Sequence, residues 1–254
     1  GDCFRYNIAS SLINLKELRF NLFFKSDLCA GKNLRAGALQ IFKKDGMKGL
    51  LATVGGEDSN NSSMRPQQKE SDLGKILFIN LENYEKEIFS LGHRTPQGLL
   101  VEEKIILATE HGPYGGDEIN QIKFGKNYGW PIASYGTPYP EKMYGKPVRK
   151  FAKSHKKNSF EEPIYSFVPS IGIAGIIKIP EMFYDQWKDN YFIASLNGGS
   201  LYRTKFDESF NKLIYMERIF VGKRIRDLKF SKKHNIFLLA LEDWREIGIL
   251  KTIQ

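Results

Sequence analysis

A chain of 254 residues, 41% of them hydrophobic, can bury a large core and fits one sizeable domain. It contains no run of about eighteen apolar residues, which excludes a transmembrane helix, and no basic and then apolar leader opens it. The formal net charge of +9 could attract nucleic acid or an acidic polymer. However, the lysines are spread along the chain without a zinc-finger, RNP or recognition-helix pattern, so no dedicated nucleic-acid site is expected.

The first 37 residues carry few structural signals. The segment ELRFNLFF at 17–24 has strand composition and is predicted as an outer strand of an incomplete sheet. Cys3 and Cys29 form the one possible cysteine pair, which fits either a disulfide in an oxidising compartment or two buried thiols. Because the chain begins with Gly rather than Met, its native start is expected upstream.

One hairpin pattern recurs four times after this N-terminal part. Each copy has an apolar strand, a charged or turn-forming interruption, and a second apolar strand that ends in small residues. The copies occupy 36–53, 97–109, 174–195 and 226–240. Further strand candidates follow each copy and hardly any segment favours a helix, so the sequence predicts an all-β fold with an internal repeat.

The segment 110–131, EHGPYGGDEINQIKFGKNYGWP, has neither helical nor strand periodicity. Its glycines and prolines predict a long, ordered, functional loop. The glycines allow carbonyl oxygens to turn inward together, and Asp117 and Glu118 add the hard anionic oxygens that calcium prefers. The segment is either a divalent-cation site or a glycine-rich surface turn with solvated carboxylates.

Several separated motifs resemble the signature of the glucose/sorbosone dehydrogenase family. They are GHRTPQG at 92–98, EHGPYGGDEIN at 110–120, GKNYGWP at 125–131, SDLGKI at 71–76, PSI at 169–171 and GKRIRDL at 222–228. The resemblance runs from about residue 33 to the C-terminus. It implies a six-bladed β-propeller of the quinoprotein dehydrogenase type, which carries pyrroloquinoline quinone (PQQ) on a calcium ion and oxidises aldose sugars at the anomeric carbon.

The number of repeats differs from that of the resembled family. Residues 1–254 are predicted as a single propeller domain with four to five blades, incomplete at its N-terminal end. Its inner strands are expected near Ala38, Gly98, Ala174 and Arg226. Because an open ring leaves sheet edges unpaired, the missing strands are expected from an upstream segment or a partner chain, unless the ring is a shorter one.

The resemblance also assigns cofactor contacts. Arg94, Arg224 and Arg226 match cationic positions that face the quinone, and a guanidinium suits them because its planar fork grips a pair of anionic oxygens. Strand alternation puts Arg224 and Arg226 on one face, where either a bound anion or pairing with Asp227 or Glu217 would explain them. Further matches on the cofactor side are Thr95, Tyr139, Ser170 and Asn197.

For calcium, the resemblance implies Gly112 and Pro113 as carbonyl ligands. It places Glu118 and the backbone of Tyr128 in the acidic site of the same segment, in one calcium site or in two. His111 is interpreted as a structural hydrogen-bonding residue rather than a base. The sequence shows no constellation of partners around the other histidines, which are His93, His155 and His234.

Three positions depart from the family pattern. Leu34, in NLRAGAL at 33–39, stands where the family has the His that takes the proton of the anomeric hydroxyl as hydride passes to the quinone. Leucine has no ionisable group, and loss of a positioned base typically costs around two to four powers of ten in rate. Asn197 and Thr95 replace a cofactor-facing Lys and Asn, respectively, so a weaker hold on the cofactor is expected. Because Leu34 replaces the His, the sequence supplies no recognised catalytic residue.

Two functions follow from this pattern. The first is a periplasmic or extracellular, PQQ- and calcium-dependent sugar dehydrogenase whose base comes from elsewhere. The second is a non-catalytic propeller that binds a saccharide, a polymer or a partner protein. The sequence leaves both open, because another residue or a further blade could supply the base that Leu34 does not.

Overall fold

The computed structural model of the chain describes residues 3–14, 16–26, 29, 36–56, 63–140, 150–243 and 245–252. β-Strands dominate these ranges. Helical structure within them is confined to three short 3-10 turns, Arg65–Gln67, Lys156–Asn158 and Asp185–Trp187. The prediction of an all-β fold is therefore confirmed. No helix in the described ranges has the length and apolar character that a membrane crossing requires.

The strands form five sheets, which follow one another along the chain. A two-stranded sheet pairs β1 (Asn7–Ser10) with β2 (Asn21–Lys25). Blade 1 contains β3 (Leu39–Lys44), β4 (Met47–Val54), β5 (Lys75–Asn80), β6 (Lys86–Leu91) and, parallel to β6, the short β10 (Lys126–Asn127). Blade 2 contains β7 (Pro96–Glu102), β8 (Ile105–Glu110), β9 (Asp117–Gln121) and β11 (Tyr165–Phe167). Blade 3 contains β12 (Ile173–Lys178), β13 (Tyr191–Ser195), β14 (Ser200–Phe206) and β15 (Leu213–Phe220), and blade 4 contains β16 (Ile225–Ser231), β17 (Ile236–Leu241) and β18 (Glu246–Leu250).

The four predicted hairpins open the four blades. They are the antiparallel pairs β3–β4, β7–β8, β12–β13 and β16–β17. Strand β7 contacts β3 and β12, and β12 contacts β16, so the first strands of successive blades lie side by side. All four line an axial cavity of about 250 Å³. The predictions of inner strands near Ala38, Gly98, Ala174 and Arg226 are confirmed.

The hydrophobic core lies between the blades. Strand β13 is buried along its whole length, because its sheet is covered by a neighbouring blade on each face. Phe192 of β13 and Phe237 of β17 pack edge to face across one of these interfaces, with ring centroids 5.2 Å apart. Burial of each such side chain contributes about 1.5–3 kcal/mol. The repeated apolar strands therefore stack successive sheets rather than enclose one central core.

The interpretation of 110–131 as a loop throughout is wrong. Residues Asp117–Gln121 form β9, which pairs with β8 and β11, and two further residues form β10. The polar composition of β9 hid its strand character, since four of its five residues are buried but only Ile119 is apolar. The predicted N-terminal strand is present only in part, as β2, and β1 carried no recognised signal.

The two cysteines are bonded. Cys3 and Cys29 form a disulfide with Cα atoms 4.9 Å apart, which resolves the alternative between a bridge and two thiols. The carbonyl of Cys29 accepts a hydrogen bond of 2.8 Å from Nη1 of Arg65. The disulfide is thereby connected to the segment between β4 and β5.

Candidate functional site

The segment between β8 and β9 is held in place by Asp117, which is fully buried. Its Oδ1 accepts a hydrogen bond of 3.0 Å from the backbone N–H of Gly112. Its Oδ2 accepts from the N–H groups of Ile171 and Ile173, at 3.1 and 3.0 Å. Because three backbone donors use this carboxylate, Asp117 joins blade 2 to the start of β12.

Two buried glutamates face each other next to this segment. Glu110 of β8 and Glu118 of β9 are directly paired in the antiparallel register. Burial raises the pKa of Glu118 well above its usual range, and the nearby charge of Glu110 raises it further. Like charges directly opposite each other on two strands are destabilising. The pair therefore creates a strong local preference for a positive charge.

The carboxylates of Glu110 and Glu118 differ in how many of their oxygens take part in hydrogen bonds. Glu110 contacts Nδ1 of His93 at 3.0 Å and accepts a hydrogen bond from the backbone N–H of Arg94. Glu118 accepts a hydrogen bond of 3.2 Å from Nδ2 of Asn120 through Oε2. Its Oε1 lies 3.6 Å from Nε2 of His155, which is too long for a hydrogen bond. Oε1 of Glu118 is therefore the oxygen available to a ligand.

A small cavity of about 10 Å³ lies beside these groups, which is close to the space that one water-sized particle needs. Its lining includes Glu110, Gly112, Glu118, Tyr128 and His155. A Cβ atom at Gly112 would collide with the carbonyl oxygens of Gly115 and Gly116, so only glycine permits this convergence of backbone oxygens. Within the described ranges, no three His, Cys, Asp or Glu side chains are grouped as for a metal ion. A cation here would therefore depend on backbone oxygens as well as on Glu118.

Arg94 borders the same cavity. Its guanidinium lies 5.2 Å from the ring of Trp130 and donates a hydrogen bond of 3.2 Å to the carbonyl of His111. Burial lowers the pKa of Arg94, and Tyr139 opposes this shift through its charge and a hydrogen bond. Among the residues that the structure describes, Nε of Arg94 has no hydrogen-bond partner. It is a buried cationic donor that an anion could satisfy.

His111 lies in the same cavity lining as Arg94. Burial lowers the pKa of His111, Asp117 opposes the shift, and the positive charges of Arg94 and Arg226 add to it. The lowered pKa favours the neutral imidazole. Its Nε2 is buried and has no hydrogen-bond partner in the described part of the chain. An unpartnered neutral imidazole can serve as a proton acceptor, a chemistry beyond the structural role that the sequence suggested.

Arg224 and Arg226 already have anionic partners in blade 4. Nη2 of Arg226 lies 2.8 Å from Glu242, and Arg224 lies 3.4 Å from both Glu242 and Asp243. Nη1 of Arg226 also donates a hydrogen bond of 2.9 Å to Oε1 of Gln97 in β7. A shared carboxylate thus offsets the repulsion between the two arginines. The pairing alternative considered above named Asp227 or Glu217, and the structure replaces them with Glu242.

The remaining predicted residues lie at the same end of the axis. Thr95 directly precedes β7, Ser170 precedes β12, and Asn197 lies between β13 and β14. Thr95 is buried, Ser170 is half-buried and Asn197 is exposed. The ring of Tyr139 packs edge to face against the ring of Tyr114, with the ring centroids 6.1 Å apart. Pro113 is buried beside Gly136, whereas Leu34 lies outside the described residues.

The interpretation that His93 has no constellation of partners is wrong. His93 is fully buried, with Nε2 2.8 Å from Oγ of Ser90 and Nδ1 3.0 Å from Glu110, and its ring stacks on Tyr128 at 4.7 Å. Ser90, His93 and Glu110 thus form a buried hydrogen-bonded series that orients Glu110. The one signal that the sequence offered was the position of His93 next to Arg94. The contact between His93 and Glu110 could not be inferred from spacing, because the two residues are 17 positions apart.

Solved structures of several sugar dehydrogenases share this architecture. A glucose dehydrogenase structure superposes with a TM-score of 0.79 at 27% identity and covers 98% of this chain and 73% of its own. The PQQ-bound aldose sugar dehydrogenase of Streptomyces coelicolor shares the fold with a TM-score of 0.70 at 22% identity, over 96% of this chain and 71% of its own. The fold is therefore that of the six-bladed quinoprotein dehydrogenase propellers, of which the described residues of this chain form four blades and one two-stranded sheet.

The sequence comparison gives the family. The model of the Glucose / Sorbosone dehydrogenase family matches residues 14–248, so the chain belongs to that family. The aldose sugar dehydrogenase YliI of Escherichia coli is 29% identical over 217 residues, which are 79% of this chain and 56% of the relative. The chain spans about half the length of the curated relatives that it matches.

Proposed function

We propose that this chain binds PQQ and a divalent cation, calcium in the first instance, at the end of the propeller axis formed by Arg94, His111 and the 110–131 segment. We further propose that it oxidises aldoses very poorly or not at all, because the resemblance to the family puts Leu34 at the sequence position of the proton-accepting His. Family membership supports the cofactor. The observation that carries the cation is the buried pair of Glu110 and Glu118 beside a cavity of single-ion size.

The residues of the 110–131 segment fit calcium. Calcium takes six to eight oxygen ligands in flexible arrangements. Glu118 offers a carboxylate oxygen without a hydrogen bond, and the carbonyls packed around Gly112 offer neutral oxygens. The proposed ligands are Gly112, Pro113, Glu118 and the backbone of Tyr128.

The fit to PQQ is strongest at Arg94. Its buried Nε has no hydrogen-bond partner among the residues that the structure describes, and a carboxylate of the cofactor would satisfy it. Thr95, Tyr139, Ser170 and Asn197 are proposed to contact the cofactor from the surrounding segments. Arg224 and Arg226 contribute less, since Glu242 and Asp243 already neutralise them.

The chain's own residues set the expected chemistry. When bound, PQQ supplies the two-electron oxidant for the anomeric carbon of a sugar. Arg94 holds negative charge in place, and the cation orients the oxygens around it. His111 offers Nε2, which has no hydrogen-bond partner among the described residues, as a residual acceptor for the sugar proton.

Two separate measurements test this proposal. PQQ binding with calcium is followed by the absorbance of the quinone, and sugar oxidation is followed by reduction of a dye. We expect the chain to bind PQQ, Arg94→Gln to weaken binding, and dye reduction to be barely detectable. Leu34→His should raise the rate by around two to four powers of ten, and adding Asn197→Lys should tighten PQQ binding.

The outcomes separate the parts of the proposal. Dye reduction by the unmodified chain at the rate of a competent dehydrogenase would refute the poor-catalysis part. Failure to bind PQQ would refute the cofactor part and leave the non-catalytic propeller that binds a saccharide, a polymer or a partner protein. That second function is favoured by Leu34 and by the neutralised arginine pair.

We also propose a periplasmic or extracellular location. The Cys3–Cys29 disulfide supports it, because disulfides persist mainly in oxidising compartments. Labelling of free thiols in the protein taken from its native source tests this, and modification of both cysteines without prior reduction would contradict it.

A further inference from the structure

His93 is a fully buried histidine that is not among the proposed cofactor contacts. Its ring stacks on the ring of Tyr128, with the centroids 4.7 Å apart, and Nε2 lies 2.8 Å from Oγ of Ser90. These two contacts fix the plane of the ring and one of its edges. The other ring nitrogen, Nδ1, is thereby directed at Oε2 of Glu110, which is 3.0 Å away.

The carboxylate of Glu110 connects the His93 ring to the next residue of the chain, Arg94. A carboxylate accepts hydrogen bonds, so Nδ1 of His93 is the donor to Oε2. Oε1 accepts a hydrogen bond from the backbone N–H of Arg94. Because each oxygen of Glu110 has its own donor, a rotation of the carboxylate would break both hydrogen bonds. The His93 ring therefore holds Oε1 on the backbone of Arg94.

The rest of the Arg94 backbone is held as well. Its carbonyl accepts a hydrogen bond of 2.7 Å from the N–H of Gly56, so both of its backbone polar groups are bonded. The side chain extends from this fixed backbone over the ring of Trp130 and donates to the carbonyl of His111. The position of the guanidinium thus depends on the hydrogen bonds that anchor the backbone of the residue.

The anchoring matters because Glu110 could also compete for the guanidinium. Burial lowers the pKa of Arg94, and the charges of Tyr139 and Glu110 oppose this shift, so the carboxylate acts on the guanidinium from where it lies. A carboxylate that turned onto the guanidinium would neutralise it, as Glu242 does for Arg226. An anchored arginine also loses less conformational freedom when it binds an anion.

We propose that His93 is a positioning residue for PQQ. It keeps Glu110 on the backbone N–H of Arg94, so that the guanidinium remains available to a carboxylate of the cofactor. The inference rests on the proposed PQQ site and adds a residue that acts on the cofactor only through Glu110 and Arg94.

Two substitutions at His93 separate positioning from packing. Asn carries its NH₂ donor on Cγ, the atom that bears Nδ1 in His, whereas Gln carries it one atom further along the side chain. Both variants lose the ring stacked on Tyr128. We expect His93→Gln to weaken PQQ binding, followed by quinone absorbance with calcium present, on the order of 10- to 100-fold, as loss of an outer supporting partner typically does. His93→Asn should retain most of the affinity, and the control His234→Gln, at an exposed histidine, should bind as the unmodified chain does.

A second readout needs neither a variant nor the cofactor. In a long-range ¹H–¹⁵N spectrum of the unmodified chain, the ring of His93 is identified by its nuclear Overhauser contact with the ring of Tyr128. Nδ1 of this ring should carry a hydrogen, and the backbone N–H of Arg94 should exchange slowly with deuterium. A His93 ring with hydrogen on Nε2 alone would overturn the proposal.

The outcomes distinguish this inference from the function on which it rests. If the unmodified chain binds PQQ and His93→Gln binds it equally well, the positioning role is refuted and the proposed cofactor stands. If the Asn and Gln variants lose the same affinity, the ring contributes only packing, and the positioning role is again refuted. If the unmodified chain binds no PQQ, both proposals are refuted. Loss in His93→Gln with recovery in His93→Asn supports both.

Discussion

At the scale of single residues, the site is dominated by charges that the fold has taken out of water. Glu118 is buried opposite Glu110, and the Nε atom of the half-buried Arg94 is buried without a hydrogen-bond partner among the described residues. Removing a charged group from water costs several kcal/mol unless a partner compensates it. Bound ions can supply that compensation, a cation for the glutamates and an anion for the arginine.

Calcium is therefore expected to stabilise the chain through Glu118. Thermal unfolding with excess Ca²⁺ should occur at a higher temperature than with a chelator, and at a hundredfold excess over Kd the gain is about 2.7 kcal/mol. Glu118→Gln should abolish the difference. Glu161→Gln, which removes only surface ion pairs to Lys123 and Lys126, should preserve it. Identical curves for the unmodified chain under both conditions would show that the segment is only a turn.

Lys75 makes a different kind of buried charge. Its side chain is fully buried, and Nζ donates hydrogen bonds of 2.8–3.0 Å to the carbonyls of Arg65, Pro66 and Leu73. Burial lowers the pKa of Lys75 to about 8, and nearby acidic groups oppose the shift. The lysine therefore ties the segment before β5 to that strand at an electrostatic cost.

The stability contributed by Lys75 should depend on pH. In the unfolded chain its pKa is about 10.4, so between about pH 8 and 10.4 the folded chain binds fewer protons than the unfolded chain. The free energy of unfolding should therefore rise with pH in this window, by about 1.4 kcal/mol per unit of pKa difference. Urea unfolding of the unmodified chain and of Lys75→Met measures this, with the variant lacking the rise. Parallel pH dependences of the two proteins would contradict it.

At the scale of elements, β9 is the strand that assembles the site. It pairs with β8 and β11, and it presents Asp117 to the start of β12 and Glu118 to the cavity. Successive side chains of a strand point to opposite faces, so adjacent carboxylates serve two different neighbours. One carboxylate fixes the backbone, and its neighbour remains available to a ligand.

Loss of the backbone hydrogen bonds that Asp117 accepts should lower the free energy of unfolding. Asp117→Asn keeps the shape but turns one accepting oxygen into a donor that faces a backbone N–H. We expect the free energy of unfolding to fall by about 2–4 kcal/mol, because hydrogen bonds to a charged group contribute about 1.5–3 kcal/mol and the freed N–H stays buried. The matched control is Asp207→Asn on an exposed turn. If Asp117→Asn lowers the free energy of unfolding no more than Asp207→Asn does, this role of Asp117 is contradicted.

The elements also show what the sequence could reveal. The apolar hairpins predicted β3–β4, β7–β8, β12–β13 and β16–β17, because the alternation of strand and turn is local information. Strand β9 escaped prediction, since its buried positions are polar and their partners lie on other segments. The site followed the same division. Arg94 and Glu118 were identified from motifs, whereas the contacts of His93 and His155 depend on distant parts of the chain.

At the scale of the whole molecule, stability comes from stacked sheets and from one covalent link. The two-stranded sheet packs Ile8 and Phe24 against the buried residues of blade 1, and the Cys3–Cys29 disulfide brackets it. A disulfide mainly limits the freedom of the unfolded chain. The disulfide therefore stabilises the two-stranded sheet of β1 and β2, which has the fewest strands of the five sheets.

Reduction should destabilise the chain measurably. The cysteines are 26 residues apart, a loop length for which the chain-entropy model gives about 3–4 kcal/mol. Denaturant unfolding with and without reductant measures the loss. The double variant Cys3→Ser and Cys29→Ser should match the reduced chain and be insensitive to reductant. Equal stability of oxidised and reduced protein would show that the N-terminal sheet contributes nothing to the cooperative unit.

The hydrogen bond between Arg226 and Gln97 has a consequence for the order of folding. The two residues are 129 positions apart, whereas the strands of the hairpins β3–β4 and β7–β8 are joined by two residues each. Local hairpins form early, and a contact of such long range must await the ordering of everything between. Gln97→Ala should therefore speed unfolding and leave the refolding rate almost unchanged, as stopped-flow measurements would show. We therefore expect the contact between blades 2 and 4 at the axis to form late in folding and to open early in unfolding.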